Sequence, residues 1–359
     1  MTGDPEPMTA LPGGRTENVV HRVSDLVGHT PLLHVGSAPN GSRMLLKLEN
    51  LNPTGSAKAR MAREMVAYAE RRGELRPGGR IVEPTSGNTG LGLALAALEA
   101  DYRFTAIVDH HASVDKMRAL LALGAELVWV GEPDTDGPQT LQRRAVAAEL
   151  AGEDGTWWPD QHNHPGNPDG YQGLAHELLG DLFGDVDVLV ASVGTGGGLC
   201  GTTRELRRLG SSVRTIGVEP AGSVMFGGEP GPYRQTGGGN PAGFPVGRNV
   251  ERSLIDEGVP VDDVAAFATC RALARRTGLL AGGTAGGAVH VALERLPSMP
   301  ARSTVVVLIC DAGEKYLDTV FDDRWLAERG LLDRGCEERV ERQLGLLGAG
   351  SAEVGGEVA

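Results

Sequence analysis

The sequence is poor in aromatic residues, in cysteine and in lysine, and each scarcity narrows the class of protein. Aromatic residues make up 4% of the 359 residues, so the core must be built from Leu, Val and Ala, within a hydrophobic content of 40%. The four cysteines are far apart and form no Cys-x-x-Cys pair, which predicts reduced thiols instead of a disulfide framework or a zinc site. No metal site is predicted, because the histidine pairs have no acidic or thiol partner arranged beside them.

Long apolar runs and an excess of positive charge are also missing. No run approaches the length that spans a bilayer, and the chain does not start with a basic segment followed by an apolar one. The formal net charge of −13 argues against affinity for nucleic acid or for anionic membranes. These features predict a cytoplasmic protein that acts on small molecules, without nucleic-acid or membrane partners.

Lysine is the most informative of the scarce residues. Only four of the 34 basic residues are lysines, namely Lys47, Lys58, Lys116 and Lys315. Lys58 ends the segment NPTGSAK (52–58), between a turn and the start of an amphipathic helix. Arginine cannot replace lysine in a Schiff base, because its guanidinium stays protonated, whereas a partly desolvated lysine amine can form an imine with a carbonyl cofactor. On this segment alone, a Schiff-base lysine and an ordinary first-turn lysine are equally good interpretations.

Two polar loops follow strand-like segments. The first, EPTSGNTG (83–90), has hydroxyl and N–H groups that suit a carboxylate, and a small-residue helix follows it. The second, GTGGG (194–198), also precedes a helix, and its glycines let the backbone approach a phosphate whose charge the helix dipole favours. A Gly-rich turn alone is a weak signal. A lysine, a carboxylate-type loop and a phosphate-type loop in this order form a strong constellation.

With these motifs in place, the chain resembles the cysteine synthase / cystathionine β-synthase family of pyridoxal-phosphate enzymes, the fold type II group. The resemblance runs from about Val23 to Trp325. Its landmarks in chain order are GHTPL (28–32), NPTGSAK (52–58), PTSGNTG (84–90), ALGAE (122–126), DQ (160–161), GTGG (194–197), GVEP (217–220), GGTAGG (282–287) and GEKYL (313–317).

The pattern of periodic segments predicts an α/β protein with mostly parallel sheets covered by helices, and active sites on such sheets lie at the carboxyl ends of strands. Strands are predicted at 44–48, 80–83, 103–108, 126–130, 186–192, 214–218 and 304–309. Helices are predicted at 57–72, 89–99, 114–123, 140–151, 171–182, 199–209, 262–277, 285–296 and 316–328.

The resemblance implies two such α/β domains, similar to the β subunit of tryptophan synthase, which face each other across a cleft. Residues 50–163 would form the smaller domain, and residues 17–49 together with 164–333 the larger one. Residues 1–16 are predicted to be a mobile arm, and residues 334–359 a mostly flexible tail. Because family members are usually dimers, a homodimer is expected.

The resemblance also implies roles for particular residues toward pyridoxal 5'-phosphate and an amino-acid substrate. Lys58 would form the Schiff base and would then remove and return the substrate α-proton. The cofactor would be held by Asn88 at its ring hydroxyl and by Gly194, Thr195, Gly196, Gly197 and Gly198 at its phosphate. The substrate carboxylate would be held by Thr85, Ser86, Gly87 and Thr89, with help from Gln161. Helix capping is the alternative role for Ser86 and Thr89, and the two roles can coexist.

Two positions depart from the family pattern. Gly198 stands where the family usually has a threonine, so that Thr202 or water would have to replace one hydroxyl contact. Ala312 stands where a serine commonly contacts the pyridine nitrogen. Either that nitrogen contacts water or nothing, or Asp311 turns inward, which would keep the nitrogen protonated and make the ring a stronger electron sink.

The implied reaction is a β-replacement on an O-activated L-serine (O-acetyl or O-phospho), through an aminoacrylate intermediate. A sulfur nucleophile would give cysteine or cystathionine, and a nitrogen nucleophile a 2,3-diaminopropionate derivative. A β-lyase (dehydratase or desulfhydrase) is an alternative, although dehydratases usually carry histidine where this chain has Thr89. Lys58 and Asn88 argue against a non-catalytic relative. The unusual segment 236–249 leaves a substrate outside ordinary cysteine biosynthesis open, and its Arg248 is equally well an anion partner or a solvated arginine.

Overall fold

The chain folds into two sheets surrounded by helices, as given by a computed structural model that describes residues 19–132 and 139–349. The strands are β1 Leu32–Ser37, β2 Arg43–Lys47, β3 Arg80–Pro84, β4 Arg103–Asp109, β5 Glu126–Val130, β6 Thr156–Trp157, β7 Val188–Ser192, β8 Arg214–Pro220, β9 Glu257–Val261 and β10 Thr304–Leu308. The helices are α1 Lys58–Arg72, α2 Asn88–Glu99, α3 Val114–Ala122, α4 Thr140–Leu150, α5 Gly166–Asp169, α6 Gln172–Asp181, α7 Thr202–Arg208, α8 Asp263–Thr277, α9 Gly283–Arg295, α10 Asp323–Ala327 and α11 Arg334–Ala349.

Both sheets are essentially parallel, which confirms the predicted fold class. The larger sheet has the order β1-β2-β10-β7-β8-β9, and β1 pairs antiparallel with β2 at its edge. The smaller sheet has the order β5-β4-β3-β6 with parallel pairs. Every side chain of the central strand β10 is buried, as expected of a strand covered on both faces. The smaller sheet falls within residues 80–157, which is compatible with the predicted smaller domain, whose boundaries stay a prediction.

The C-terminal segment corrects one prediction. Residues 334–349, predicted as part of a flexible tail, form helix α11, which packs on α8. Its buried residues Val340, Leu344 and Leu347 recur at helical spacing, and the Arg271 side chain of α8 donates to the Glu337 carboxylate over 2.7 Å. Hydrophobic burial and this ion pair therefore hold the segment. The predicted arm 1–16 and the end of the tail lie outside the described residues.

A buried group of charges fixes the start of α1. The Arg60 guanidinium donates to the Glu49 carboxylate at 2.7 Å and to the Glu177 carboxylate at 2.7 Å, and the Lys47 ammonium pairs with Glu177 at 2.9 Å. Glu49 and Lys47 are fully buried. These four charges sum to zero, with Asp181 at their half-exposed edge. They orient α1, whose first residue is central to the site.

Among the described residues, no helix is long and apolar enough to cross a bilayer.

Candidate active site

Lys58 lies where the two predicted loops meet. The turn before it uses left-handed backbone at Thr54 (φ 65°) and Gly55 (φ 67°), and the Ala57 N–H donates to the carbonyl oxygen of Cys310 over 2.9 Å. Since Cys310 follows β10, this bond ties the lysine segment to the carboxyl edge of the larger sheet. Lys58 lines both the cavity at the Gly-rich loop and the cavity at the loop after β3.

The Gly-rich loop after β7, residues 194–198, is called the phosphate loop below. At three of its positions there is no room for a side chain. A methyl group at Gly194 or Gly196 would lie 2.2 or 2.4 Å from a backbone oxygen, and one at Gly197 would lie 1.9 Å from the Asn167 side-chain oxygen. The loop borders a cavity of about 40 Å³, at the start of a helical segment whose first N–H groups have no intrahelical partner. Such a cradle suits a phosphate group.

The other two residues of the phosphate loop differ from these glycines. Thr195 accepts a hydrogen bond from the Asn167 side chain at 3.0 Å, which fixes its hydroxyl in the cavity wall. A methyl group at Gly198 would meet only the Tyr171 ring, at 3.8 Å, so a side chain fits there. The Thr202 hydroxyl donates to the Gly198 carbonyl at 2.6 Å and is therefore used inside the helix, which does not support its predicted role as a replacement.

The loop after β3, residues 84–89, is called the carboxylate loop below. Thr85 caps α2, since its hydroxyl accepts hydrogen bonds from the N–H groups of Gly87 (3.4 Å) and Gly90 (3.1 Å). Capping, the alternative role considered for Ser86 and Thr89, is thus performed by Thr85. Ser86 and Gly87 are half-buried and line the cleft. The hydroxyl groups and first-turn N–H groups at this helix start are of the kind that suits an anion.

Gln161 is held in the cleft by two neighbours. The Thr89 hydroxyl donates to its side-chain oxygen at 2.6 Å, and its side-chain nitrogen donates to Glu83 Oε1 at 3.0 Å. Glu83 is fully buried, and its second oxygen has no partner among the described residues. Burial, together with the nearby Asp160 charge, raises the pKa of Glu83 to about 8. A buried carboxyl group therefore orients the amide that is predicted to help hold the substrate.

Asn88 is the centre of a second network. Its side-chain oxygen accepts a hydrogen bond from the Lys315 ammonium at 2.6 Å, and its side-chain nitrogen donates to Asp311 at 2.9 Å. The same Asp311 oxygen accepts from the Tyr316 hydroxyl at 2.6 Å. The pKa of Lys315 is lowered to about 8. Burial is the main cause, and the positive charges of Lys116 and Lys58 act in the same direction, whereas the negative charge of Asp311 acts to raise it. The network fixes the orientation of the Asn88 amide, with its oxygen toward Lys315 and its nitrogen toward Asp311.

Of the two possibilities left open by Ala312, the geometry favours the inward aspartate. Asp311 is buried and lines the cleft together with Lys58 and Asn88, while the Ala312 N–H donates to the Gly55 carbonyl at 3.1 Å. An ionic contact between Asp311 and the pyridine nitrogen stays a prediction.

Two cavities meet at the carboxylate loop. The inner chamber, about 280 Å³, is lined by Lys58, the carboxylate loop, Gln161 and part of the phosphate loop. The outer chamber, about 440 Å³, extends from it between α3 and the segment around α10. Both chambers are lined by Ser86, Gly87, Lys116, Thr236 and Tyr316. Thr236 and its glycine neighbours bring the start of segment 236–249 to the inner chamber.

Arg248, which the sequence offered as a possible anion partner, is not among the cations of these chambers. Arg248 is exposed, and the lining of neither chamber includes it. Lys116 and Lys315 line the outer chamber, together with Arg234. Lysine is scarce in this chain, and that scarcity drew attention to Lys58. The same signal could have identified Lys116 and Lys315 as site residues.

The residues present fit a phosphorylated aldehyde cofactor with an amino acid beside it. The phosphate loop excludes side chains, the lysine amine lies between that loop and the carboxylate loop, and Asn88 with Asp311 supplies polar groups between them. All lie at the carboxyl ends of β3, β7 and β10, where ligands bind in open α/β sheets. Fold and site together are those of an α/β enzyme with a phosphorylated aldehyde cofactor, and attachment of that cofactor to the lysine stays a prediction.

The chain belongs to the family of pyridoxal-phosphate dependent enzymes, whose model matches residues 23–311. It is 48% identical over 313 residues to a putative cysteine synthase of Sinorhizobium fredii, covering 87% of this chain and 93% of the relative. It is 37% identical over 314 residues to the N-(2-amino-2-carboxyethyl)-L-glutamate synthase of Ralstonia nicotianae, covering 86% and 92%. The structure of cysteine synthase from Entamoeba histolytica superposes with a TM-score of 0.80 at 28% identity, covering 95% and 98%.

These similarities confirm the resemblance to the cysteine synthase / cystathionine β-synthase group, its fold type II architecture and pyridoxal phosphate as the cofactor. The chain is a cysteine-synthase-like enzyme. The roles of its individual site residues stay predictions.

Proposed function

We propose that the protein catalyses β-replacement on an O-activated L-serine, either O-acetyl- or O-phospho-L-serine, and forms cysteine or another β-substituted alanine. One observation carries the proposal: the Lys58 side chain lines both the cavity of the phosphate loop and the inner chamber at the carboxylate loop. A lysine in this position reaches both the cofactor and the α-carbon of an amino acid whose carboxylate is held at the helix start.

Pyridoxal phosphate, when bound, withdraws electron density from the α-carbon of the amino acid, so that the α-proton becomes acidic and the β-substituent can leave. Lys58 would hold the cofactor by a covalent bond from its Nζ, and the phosphate loop would hold the phosphate. Asn88 would contact the ring hydroxyl, oriented by Lys315 and Asp311.

The remaining work is done by side chains that position the substrate. The N–H groups of Ser86, Gly87 and Thr89 and the Ser86 hydroxyl would fix its carboxylate. The Thr85 hydroxyl would hold the loop in place, and the Thr89 hydroxyl would hold the Gln161 amide beside it. The Lys58 amine, released from the cofactor, would take the proton from the α-carbon and return it there after the nucleophile has added. The new bond uses a lone pair of the nucleophile, and the departing oxygen keeps the electron pair of its bond to the β-carbon.

A nitrogen nucleophile is the second candidate within this class. The relative from Ralstonia nicotianae is named for a product in which a 2-amino-2-carboxyethyl group is attached to the nitrogen of glutamate. This product type corresponds to the 2,3-diaminopropionate derivatives expected for a nitrogen nucleophile.

By family expectation, we also propose that the protein acts in the cytoplasm as a homodimer. Light scattering of the purified protein would test the dimer.

The visible absorbance of the holoenzyme tests the reaction. O-acetyl-L-serine and O-phospho-L-serine are added in turn, without a nucleophile, to the wild type and to the Lys58→Arg variant. We expect one donor to shift the cofactor band of the wild type, with stoichiometric release of acetate or phosphate and little pyruvate. We expect the Lys58→Arg protein to show neither the lysine-bound band nor turnover.

Two results would contradict this function. Catalytic pyruvate formation that a nucleophile does not suppress would indicate a β-lyase. A cofactor band that responds to neither donor would mean that the substrate is not an O-activated serine.

A further inference from the structure

Most residues that line the outer chamber have no role in the proposed chemistry of the inner chamber. Neither Lys58 nor the phosphate loop lines it, yet it opens onto the carboxylate loop at Ser86 and Gly87. Its volume of about 440 Å³ falls within the range of small-molecule sites. A ligand in the outer chamber would therefore reach the reacting amino acid without displacing the cofactor.

Lys116 is the residue at the junction. It lies in the first turn of α3, is 8% exposed and lines both chambers. Its ammonium lies 4.5 Å from the centre of the Tyr316 ring. In the described part of the chain, it forms no ion pair with a carboxylate. Burial lowers the pKa of Lys116, and the charges of Asp311 and Asp318 oppose this effect.

A buried ammonium without a paired anion is unfavourable, because the aromatic face and the charges of Asp311 and Asp318 compensate the desolvation of the charge only in part. An anion in the adjoining chamber would supply the missing partner. Burial also makes such a pair stronger than one at the surface, because water screens it less.

A second cation stands farther along the outer chamber. The Arg234 guanidinium lies 5.9 Å from the centre of the Trp325 ring, and this exposed arginine lines the outer chamber only. Lys315 adds positive charge but no free donor, since its ammonium already donates to the carbonyls of Thr54 and Gly55 and to Asn88. The outer chamber thus offers two cationic groups, one buried and one at the rim.

The remaining lining sets the size and polarity of the ligand. Phe267 and Trp325, whose ring centres are 6.3 Å apart, form an apolar wall. The acidic residues that line the chamber, Asp115 and Asp318, are exposed, and Asp115 pairs with Arg118 at 3.2 Å. A short carbon chain with an anionic group at each end matches this arrangement.

We propose that the outer chamber binds the nucleophilic second substrate, and that this substrate is a small dicarboxylate whose two carboxylates pair with Lys116 and Arg234. The assignment rests on the proposed β-replacement. Lys116 would select the carboxylate nearer the inner chamber, and Arg234 the one at the rim. A monoanionic nucleophile would leave one of these cations without an anionic partner, and a neutral one would leave both.

Calorimetric titration of the holoenzyme tests the proposal with glutarate, a dicarboxylate without an amine that could react with the cofactor. Its uncharged isostere, glutaramide, and inorganic phosphate are the comparison probes. The titrations are repeated with saturating L-alanine, which is expected to fill the carboxylate loop and has no leaving group. The proteins are the wild type, Lys116→Met, Lys116→Arg and Arg118→Met. The last of these removes an exposed charge from the same helix, and it leaves Asp115 without Arg118 but exposed to solvent.

We expect glutarate to bind the wild type at least about tenfold more tightly than glutaramide, with or without L-alanine. Lys116→Met should weaken glutarate binding by about tenfold or more, while Lys116→Arg and Arg118→Met should stay within about threefold. Circular dichroism and cofactor absorbance confirm that each variant is folded and loaded.

Three results would overturn the proposal. In the first, glutarate and glutaramide bind with equal affinity. In the second, Lys116→Met leaves the affinity for glutarate unchanged. In the third, phosphate binds in a way that depends on Lys116, and glutarate does not bind. The last result would assign the chamber to a departing anion. The glutarate titration without L-alanine does not depend on the reaction. A failure of the proposed function would therefore be seen in a different experiment, in which the serine donors leave the cofactor spectrum unchanged.

Discussion

The buried carboxyl group of Glu83 leads to a quantitative prediction about the pH dependence of stability. Its pKa is about 8 in the folded protein and 4.5 for a free side chain. Between these values the folded protein keeps a proton that the unfolded chain has lost, so the free energy of unfolding falls as the pH rises. The difference of about 3.5 corresponds to about 5 kcal/mol at most, at about 1.36 kcal/mol per pH unit.

The Glu83→Gln variant removes this loss, because an amide does not ionise. Its oxygen can still accept the hydrogen bond from Gln161, and its NH₂ group takes the place of an oxygen that has no partner. Between about pH 6 and about pH 9, we expect the stability of the variant to rise relative to the wild type by about 3 kcal/mol.

Equilibrium urea unfolding of both holoenzymes across this pH range measures the difference, and the protonation of the cofactor cancels between them. Glu153→Gln serves as the control, since the Glu153 carboxylate is largely exposed and forms a surface pair with Arg80. Parallel stability curves for Glu83→Gln and the wild type would refute the argument, because they would show that Glu83 does not retain its proton in the folded protein.

Three further predictions concern the cofactor site and the C-terminal helix. Gly197→Ala should weaken pyridoxal-phosphate binding by about 100-fold or more in equilibrium dialysis, because its methyl group would meet the Asn167 oxygen, whereas Gly198→Ala should lose much less. Asp311→Ala should shift the cofactor absorbance band and slow the reaction, and an unchanged spectrum and rate would contradict its contact with the ring nitrogen. Arg271→Met should lower the free energy of unfolding by about 1.5–3 kcal/mol in urea titrations, because the buried Glu337 carboxylate of α11 loses its buried arginine partner and keeps only Arg275 and Arg334. A loss below about 1 kcal/mol would contradict this account.

The fold was predictable where local pattern and burial agree. β10 and β7 are apolar runs between polar turns, and both were predicted close to their observed bounds. Three strands were missed. β1 (LLHVGS) is an edge strand whose pairing with β2 has an irregularity between His34 and Gly36, and the other two lack such a pattern. β6 has only two residues, and β9 (EGVPV) contains Gly and Pro, so tertiary pairing with β8 makes it a strand. α11 was missed because its Gly and Glu content was weighed above the helical spacing of its apolar residues.

The site also has a part that the sequence predicts and a part that it does not. The two loops and Lys58 are contiguous motifs, so the sequence shows them together, and the structure brings them to one cleft. The roles inferred for Glu83, Lys116 and Lys315 depend on partners distant in the chain, such as the contact between Asn88 and a lysine more than two hundred residues later. No local pattern reveals such pairs, although the scarcity of lysine gave a hint.

The buried charges at the start of α1 have a consequence for how this sequence can vary. Replacing Arg60 alone would leave the carboxylates of Glu49 and Glu177 facing each other in the interior, whereas replacing all the partners by apolar residues of similar volume would cost far less. Single substitutions would therefore be selected against even where the combined change is harmless. In natural variants of this chain, Lys47, Glu49, Arg60 and Glu177 should be inherited as one block.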